Sequence, residues 1–222
     1  MKVHFDNGKG VQICGIISPN AGKSTLIAIL CHGLNSDKDS ATNLALEKIL
    51  SEKGIATFRF DFFAHGESRA DVNDRTLEEF VNDISRAVNF LKARGHRKFG
   101  IYANSFGAVA AVIAASRISD FKVMALKAPG MGQTSRNMQN YKHDFDTKKW
   151  ITAGASITVP TLIIHGTADK DVEIQLGQEL AKAIRSSKLE IFKDADHRFS
   201  NPEDFKKCVA HIAEFIAVHI GS

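Results

Sequence analysis

Residues 101–108 read Ile101-Tyr102-Ala103-Asn104-Ser105-Phe106-Gly107-Ala108: an apolar strand runs straight into a serine, and the serine into a helix rich in alanine and glycine. A serine placed there has two uses. It can cap the helix, which is common, or it can be presented as a nucleophile. A hydroxyl attacks an acyl carbon at neutral pH only if a base takes its proton and a third group orients that base. The chain offers candidates for both. The apolar run Thr161 to His165 leads into Gly166-Thr167-Ala168-Asp169-Lys170-Asp171-Val172, so Asp169 and Asp171 both follow a strand. The run Leu189 to Phe192 leads into Lys193-Asp194-Ala195-Asp196-His197-Arg198-Phe199, which places His197 just past the last expected strand. The chain has nine histidines. A loop histidine is usually a surface residue, so only this position singles His197 out.

These side chains must be carried by a scaffold, and strands alternate with helices from Val11 onward. Strands are expected at Val11 to Ile17, Leu26 to Cys31, Ile55 to Phe60, Phe99 to Ala103, Val123 to Lys127, Thr161 to His165 and Leu189 to Phe192. Short continuous apolar runs such as Leu26 to Cys31 suit strands buried on both faces. Helices are expected from about Thr42 to Lys53, from Thr76 to Gly95, and over Phe106 to Arg117, Ile174 to Ile184 and Pro202 to Ile220. Thr76 with Glu79 reads as a capping box, and Leu77, Phe80, Val81, Ile84, Val88 and Leu91 form one apolar face at helical spacing. The alternation predicts an α/β fold: a mostly parallel central sheet with helices on both faces and the chemistry at the carboxyl ends of the strands. One domain over 1–222 is expected. The polar stretch from Gly130 to Ile157, with Met131, Met138, Tyr141, Phe145 and Trp150, breaks the rhythm and is expected to be a short cap or a surface excursion.

The strand–Ser105–helix segment resembles the nucleophile elbow of the α/β-hydrolases, usually written G-x-S-x-G, with Ala103 in place of its first glycine. Their pattern H-G-x-x-D-x-x-V is similar to residues 165–172 and selects Asp169 over Asp171. The order serine, acid, histidine is the one that family uses. Asp194 stands where a glycine is common. Asp61 to Ser68 looks like the family's D-x-x-G-H-G-x-S turn, with Ala64 for its first glycine, and is read as structural. The resemblance implies Ser105 as nucleophile, His197 as general base and Asp169 as its orienter. It implies an oxyanion hole from the backbone N–H groups of Leu34, in the loop His32-Gly33-Leu34-Asn35, and of Phe106. It covers nearly the whole chain and is nearest to small, lightly capped esterases and acyl-peptidase-like hydrolases. The last third is similar to cinnamoyl (feruloyl) esterases, whose insertion between elbow and acid is longer. The implied reaction is hydrolysis of a carboxylic (acyl) ester through an acyl-enzyme, with no metal or organic cofactor.

Composition narrows the alternatives. Twenty-nine basic against 25 acidic side chains leave a net charge of +4, spread along the chain. The one basic cluster, Arg94 to Lys98, is too short for a nucleic-acid partner. No apolar run reaches the ~18 residues of a membrane span. The start of the chain has no signal-like apolar region, and Cys14, Cys31 and Cys208 form neither a disulfide framework nor a zinc site. A reducing cytoplasm fits this pattern, and the sequence is compatible with a homo-oligomer. Asn20 to Thr25 imitates the end of a phosphate-binding loop, but Ile17 occupies the position of its first glycine. His143-Asp144-Phe145-Asp146 lacks further ligands at metal-site spacing. Two other readings stand beside the esterase: a peptidase or thioesterase of the same fold, and a non-catalytic binding protein on it.

Overall fold

A computed structural model describes residues 1–19, 25–132 and 147–221. Eight strands form one sheet: β1 (Lys2–Asp6), β2 (Gln12–Ile17), β3 (Leu26–Cys31), β4 (Ala56–Phe60), β5 (Lys98–Asn104), β6 (Phe121–Lys127), β7 (Thr161–Gly166) and β8 (Ser187–Phe192). Their spatial order is β1-β2-β4-β3-β5-β6-β7-β8. Only the pairs β1–β2 and β2–β4 are antiparallel, so the mostly parallel sheet expected from the sequence is present. Six α-helices accompany it: α1 (Ala41–Glu52), α2 (Leu77–Lys92), α3 (Phe106–Arg117), α4 (Thr147–Gly154), α5 (Ile174–Ala183) and α6 (Pro202–His219).

The helices cover both faces. Side chains of α2, α3 and α5 share one core with Ile29, Phe58, Phe99 and Ile101, and those of α1 and α6 share a second core with Leu30, Tyr102, Val123 and Ile164. Successive residues of a strand point to opposite faces, which is why the central strands read as unbroken apolar runs. Start signals at the helices are met by specific bonds. Thr76 Oγ1 accepts the Glu79 N–H at 3.2 Å. The return half of that expected capping box does not form, because the Glu79 carboxylate pairs with Lys9 instead. Asn201 caps α6 ahead of Pro202, which suits a first turn where its missing N–H costs nothing.

Three expectations need correction or completion. The alternation begins earlier than Val11: Lys2–Asp6 is a strand paired with β2. The stretch from Gly130 to Ile157 is not wholly irregular, since α4 lies within it and its Trp150 is 1% exposed, anchored in the core. Met138, Tyr141, His143, Asp144, Phe145 and Asp146 lie outside the described residues, as do Asn20 to Ser24 of the phosphate-loop-like segment. Among the described residues no helix is long and apolar enough to cross a membrane, and the three cysteines are free and buried.

Candidate active site

Ser105 occupies the single turn between β5 and α3, with φ 53° and ψ −123°. A non-glycine residue pays strain there. The surroundings hold it in place: its N–H donates to the Lys127 carbonyl at 2.9 Å and its own carbonyl accepts the Ala108 N–H at 2.9 Å. Its side chain makes no capping hydrogen bond to the helix, so the hydroxyl is not spent on the common structural use. The turn is possible because its neighbours are small. A methyl group on Gly107 would overlap the His32 carbonyl, and one on Gly33 would come within 3.2 Å of the Ser105 Cβ. Helix α3 and the loop after β3 therefore touch directly, which brings Leu34 and Phe106 to one wall with Ser105.

The acid and the histidine come from the loops after two neighbouring strands, β7 and β8, in register at Gly166 and Phe192. The loops are bonded to each other. Thr167 N–H donates to the Phe192 carbonyl at 2.9 Å, Ala168 N–H to the Ala195 carbonyl at 3.0 Å, and Asp194 N–H to Thr167 Oγ1 at 2.8 Å. Gly166 lies so close to the Ala195 carbonyl that a Cβ there would overlap it. This lacing brings His197 Nδ1 to 2.7 Å from Asp169 Oδ2. The Asp169 side chain is fully buried. Its Oδ1 accepts the N–H groups of Asp171 at 2.9 Å and Val172 at 2.8 Å. Burial acts to raise its pKa, but the hydrogen bonds from His165, His197 and the Val172 N–H outweigh this and hold the carboxyl well below the usual carboxylate range. Asp169 is therefore an anion at neutral pH. Asp171, the other acid weighed from the sequence, lines the cavity.

Sequence reasoning missed His165. It closes β7, is fully buried, and places Nε2 3.2 Å from Asp169 Oδ2 and 3.1 Å from the Val172 carbonyl. Asp169 is thus held between two imidazoles. The i,i+4 spacing of His165 and Asp169 was the available signal. Lys127, Asn104 and Arg198 were also missed, and all three line the cavity of about 550 Å³ that contains Ser105 and His197. No hydrogen bond joins Ser105 Oγ to His197 among the described residues; in enzymes without a bound substrate such bonds are often long.

The departures from the family's glycines have a conformational meaning. Asp194 and Ala64 both have positive φ, 59° and 56°. Glycine adopts that region freely, and aspartate tolerates it better than alanine does. The turn that holds Ala64 also carries His65, which packs against His32 beneath the site. His32 Nδ1 donates to the Gly33 carbonyl at 2.7 Å and its Nε2 accepts the Phe62 N–H at 3.1 Å, so the ring must be neutral.

That buried pair sets a pH dependence of stability. Burial lowers His32 to about 4 and His65 to about 3, from 6.5. Below pH 6.5 the unfolded chain takes up protons that the folded protein refuses, so stability falls as pH falls through this window. Asp83 opposes it. Burial raises that carboxyl to about 8, so the folded protein keeps a proton that the unfolded chain has lost, and stability falls as pH rises toward 8. Two histidines outweigh one aspartate below pH 6. Unfolding free energies from urea titrations are therefore expected to peak near pH 6.5 and to decline on both sides, by about 1.4 kcal/mol per pH unit at most. Free energies that rise steadily from pH 6.5 to 4.5 would contradict it.

The family model described as serine aminopeptidase, S33, matches residues 22–151, and that of the prolyl oligopeptidase family matches residues 108–222. The chain belongs to the serine aminopeptidase S33 family. Members are hydrolases on the α/β-hydrolase fold, and the solved structures agree on that fold. Est1E from Butyrivibrio proteoclasticus, solved with ferulic acid, is 18% identical; 99% of this chain and 100% of that one align, with a TM-score of 0.87. The Pyrococcus furiosus esterase Pf2001 is 20% identical over 100% of this chain and 93% of its own, with a TM-score of 0.81. A dienelactone hydrolase from Anabaena variabilis is 21% identical over 99% and 97%, with a TM-score of 0.78. No curated protein matches the chain by sequence. At these identities the S33 family member shares its neighbours' fold, and its chemistry must be argued from its own residues.

Proposed function

We propose that the protein is a serine hydrolase that cleaves a carboxylic ester through an acyl-enzyme on Ser105. The observation that carries this reading is the strained serine at φ 53°, in one cavity with a histidine that is bonded to a buried carboxylate. His197 Nε2, the ring nitrogen turned away from Asp169, takes the Ser105 proton as Oγ attacks the acyl carbon. Asp169 keeps the other nitrogen protonated and stabilises the imidazolium. The carbonyl electron pair moves onto oxygen, where the N–H groups of Leu34 and Phe106 receive it. His197 then gives its proton to the leaving alkoxide, and the acyl group stays on Ser105. A water enters, loses its proton to His197 and attacks the ester; the acid leaves and Ser105 regains its proton.

A peptidase of the same fold is the second reading, favoured by the names of the two matching family models. Hydrolysis of p-nitrophenyl esters from acetate to decanoate, beside a thioester and an aminoacyl amide, separates the readings. The ester series is expected to be cleaved fastest, with a fluorophosphonate probe labelling Ser105. Cleavage of the amide alone would replace the esterase by the peptidase, and absence of labelling in folded protein would remove both.

A further inference from the structure

The cavity beside Ser105 carries two cations that this chemistry does not use. Lys127 ends β6, next to Ser105, whose N–H its carbonyl accepts. Lys127 is 3% exposed, yet no carboxylate lies within ion-pairing distance of it among the described residues. Among the described residues its Nζ reaches only the His197 carbonyl, at a long 3.5 Å, and the face of Phe199, 5.0 Å from the ring centroid. The acids nearest to it are committed elsewhere. Asp169 is held by His165 and His197, and Asp196 accepts the N–H groups of Arg198 and Ser200. Arg198 lines the same cavity from an exposed position, and its guanidinium makes no hydrogen bond or ion pair among the described residues.

A buried ammonium without a counter-charge destabilises a fold, so its retention points to a partner that arrives with the substrate. Burial pulls the Lys127 pKa below the ordinary lysine value, and a bound anion would raise it again. The wall opposite is compatible. Ser40 and Thr42, at the start of α1, line the cavity, and the first turn of that helix holds no acidic side chain. Asp171 is the only acid among the described lining residues.

We propose that Lys127 and Arg198 form a subsite for an oxyanion, carboxylate or phosphate, carried by the substrate, so that the ester hydrolysed is an anionic one. The inference rests on the Ser105 hydrolase reading. Asn104 and Lys127 end adjacent strands in register, such strands lie about 4.8 Å apart, and Ser105 follows Asn104 directly. The anionic group therefore sits a few bonds from the scissile carbonyl, as in a half-ester of a short dicarboxylic acid.

The test compares mono-p-nitrophenyl glutarate with p-nitrophenyl hexanoate, of matching chain length and without the charge. In wild type the kcat/KM ratio is expected to favour the anionic ester by about tenfold or more, the size of a charged hydrogen bond. The ratio should fall by about tenfold in Lys127→Met and by a smaller factor in Arg198→Ala, an exposed position whose truncation leaves the core intact. A wild-type ratio near one overturns the proposal. So does an equal loss on both esters in Lys127→Met, the mark of a lysine that only props the His197 loop. Calorimetric titration of wild type and Lys127→Met with glutarate and with inorganic phosphate reads the same subsite without turnover. Binding that vanishes in the variant supports the proposal, and the tighter ligand names the oxyanion; binding of neither overturns it. If neither ester is cleaved while glutarate still binds through Lys127, the esterase reading fails and the anion subsite stands.

Discussion

Ser105→Ala is expected to lower turnover on the preferred p-nitrophenyl ester by about 10⁶-fold, the loss seen when a serine hydrolase loses its nucleophile. Stability should hardly suffer. The Ser105 hydroxyl caps nothing in α3, and alanine removes one oxygen while keeping the Cβ that already occupies the strained turn. Binding is expected to survive as well, since the cavity wall is otherwise intact. The check is a ratio of initial rates, with a thermal melt on both proteins. Activity that persists in a folded variant would place the chemistry on another group and remove the mechanism at its first step.

Asp169→Asn is the second large effect, expected at about 10⁴ in kcat. The carboxylate fixes one tautomer of His197 by accepting from Nδ1 at 2.7 Å, which leaves Nε2 as the lone pair that can take the serine proton. An amide of the same shape can turn its NH₂ toward the ring. That would put the proton on Nε2, where it blocks the base. His165 strengthens the expectation, because its Nε2 shares the same Oδ2 and has no acid other than Asp169 within ion-pairing distance among the described residues. The variant should fold, since the Oδ1 contacts with the Asp171 and Val172 N–H groups can be kept by an amide oxygen. A kcat within tenfold of wild type, with folding verified by circular dichroism, would mean that Asp169 only shapes the loop.

Much of this molecule was legible in one dimension. The helix over Phe106 to Arg117 has the expected boundaries, and the central strands announce themselves because burial on both faces makes them mostly apolar runs. Helix starts were legible where a side chain bonds its own backbone, as Thr76 does. Such signals are local: each depends on residues within a turn or a few strand positions of one another. The strand Lys2–Asp6 escaped notice because it is an edge strand with one buried residue, Phe5, so its alternation carries almost no apolar signal. Helix α4 escaped for a similar reason, as its one deep anchor, Trp150, is a single point in a polar stretch.

The candidate site divides in the same way. Ser105, Asp169 and His197 each follow a strand, and chain order with family resemblance was enough to single them out. Their meeting depends on the sheet order β5-β6-β7-β8, which no local pattern encodes. Parallel strands stacked in that order bring loops from residues 105, 127, 169 and 197 to one edge, although they are far apart along the chain. Only the folded protein decides that His165 shares the Asp169 carboxylate and that Lys127 is buried with no carboxylate in ion-pairing distance among the described residues. Each of these is a matter of which groups share a low-dielectric space, and that is set by packing between distant segments rather than by the identity of neighbours in sequence.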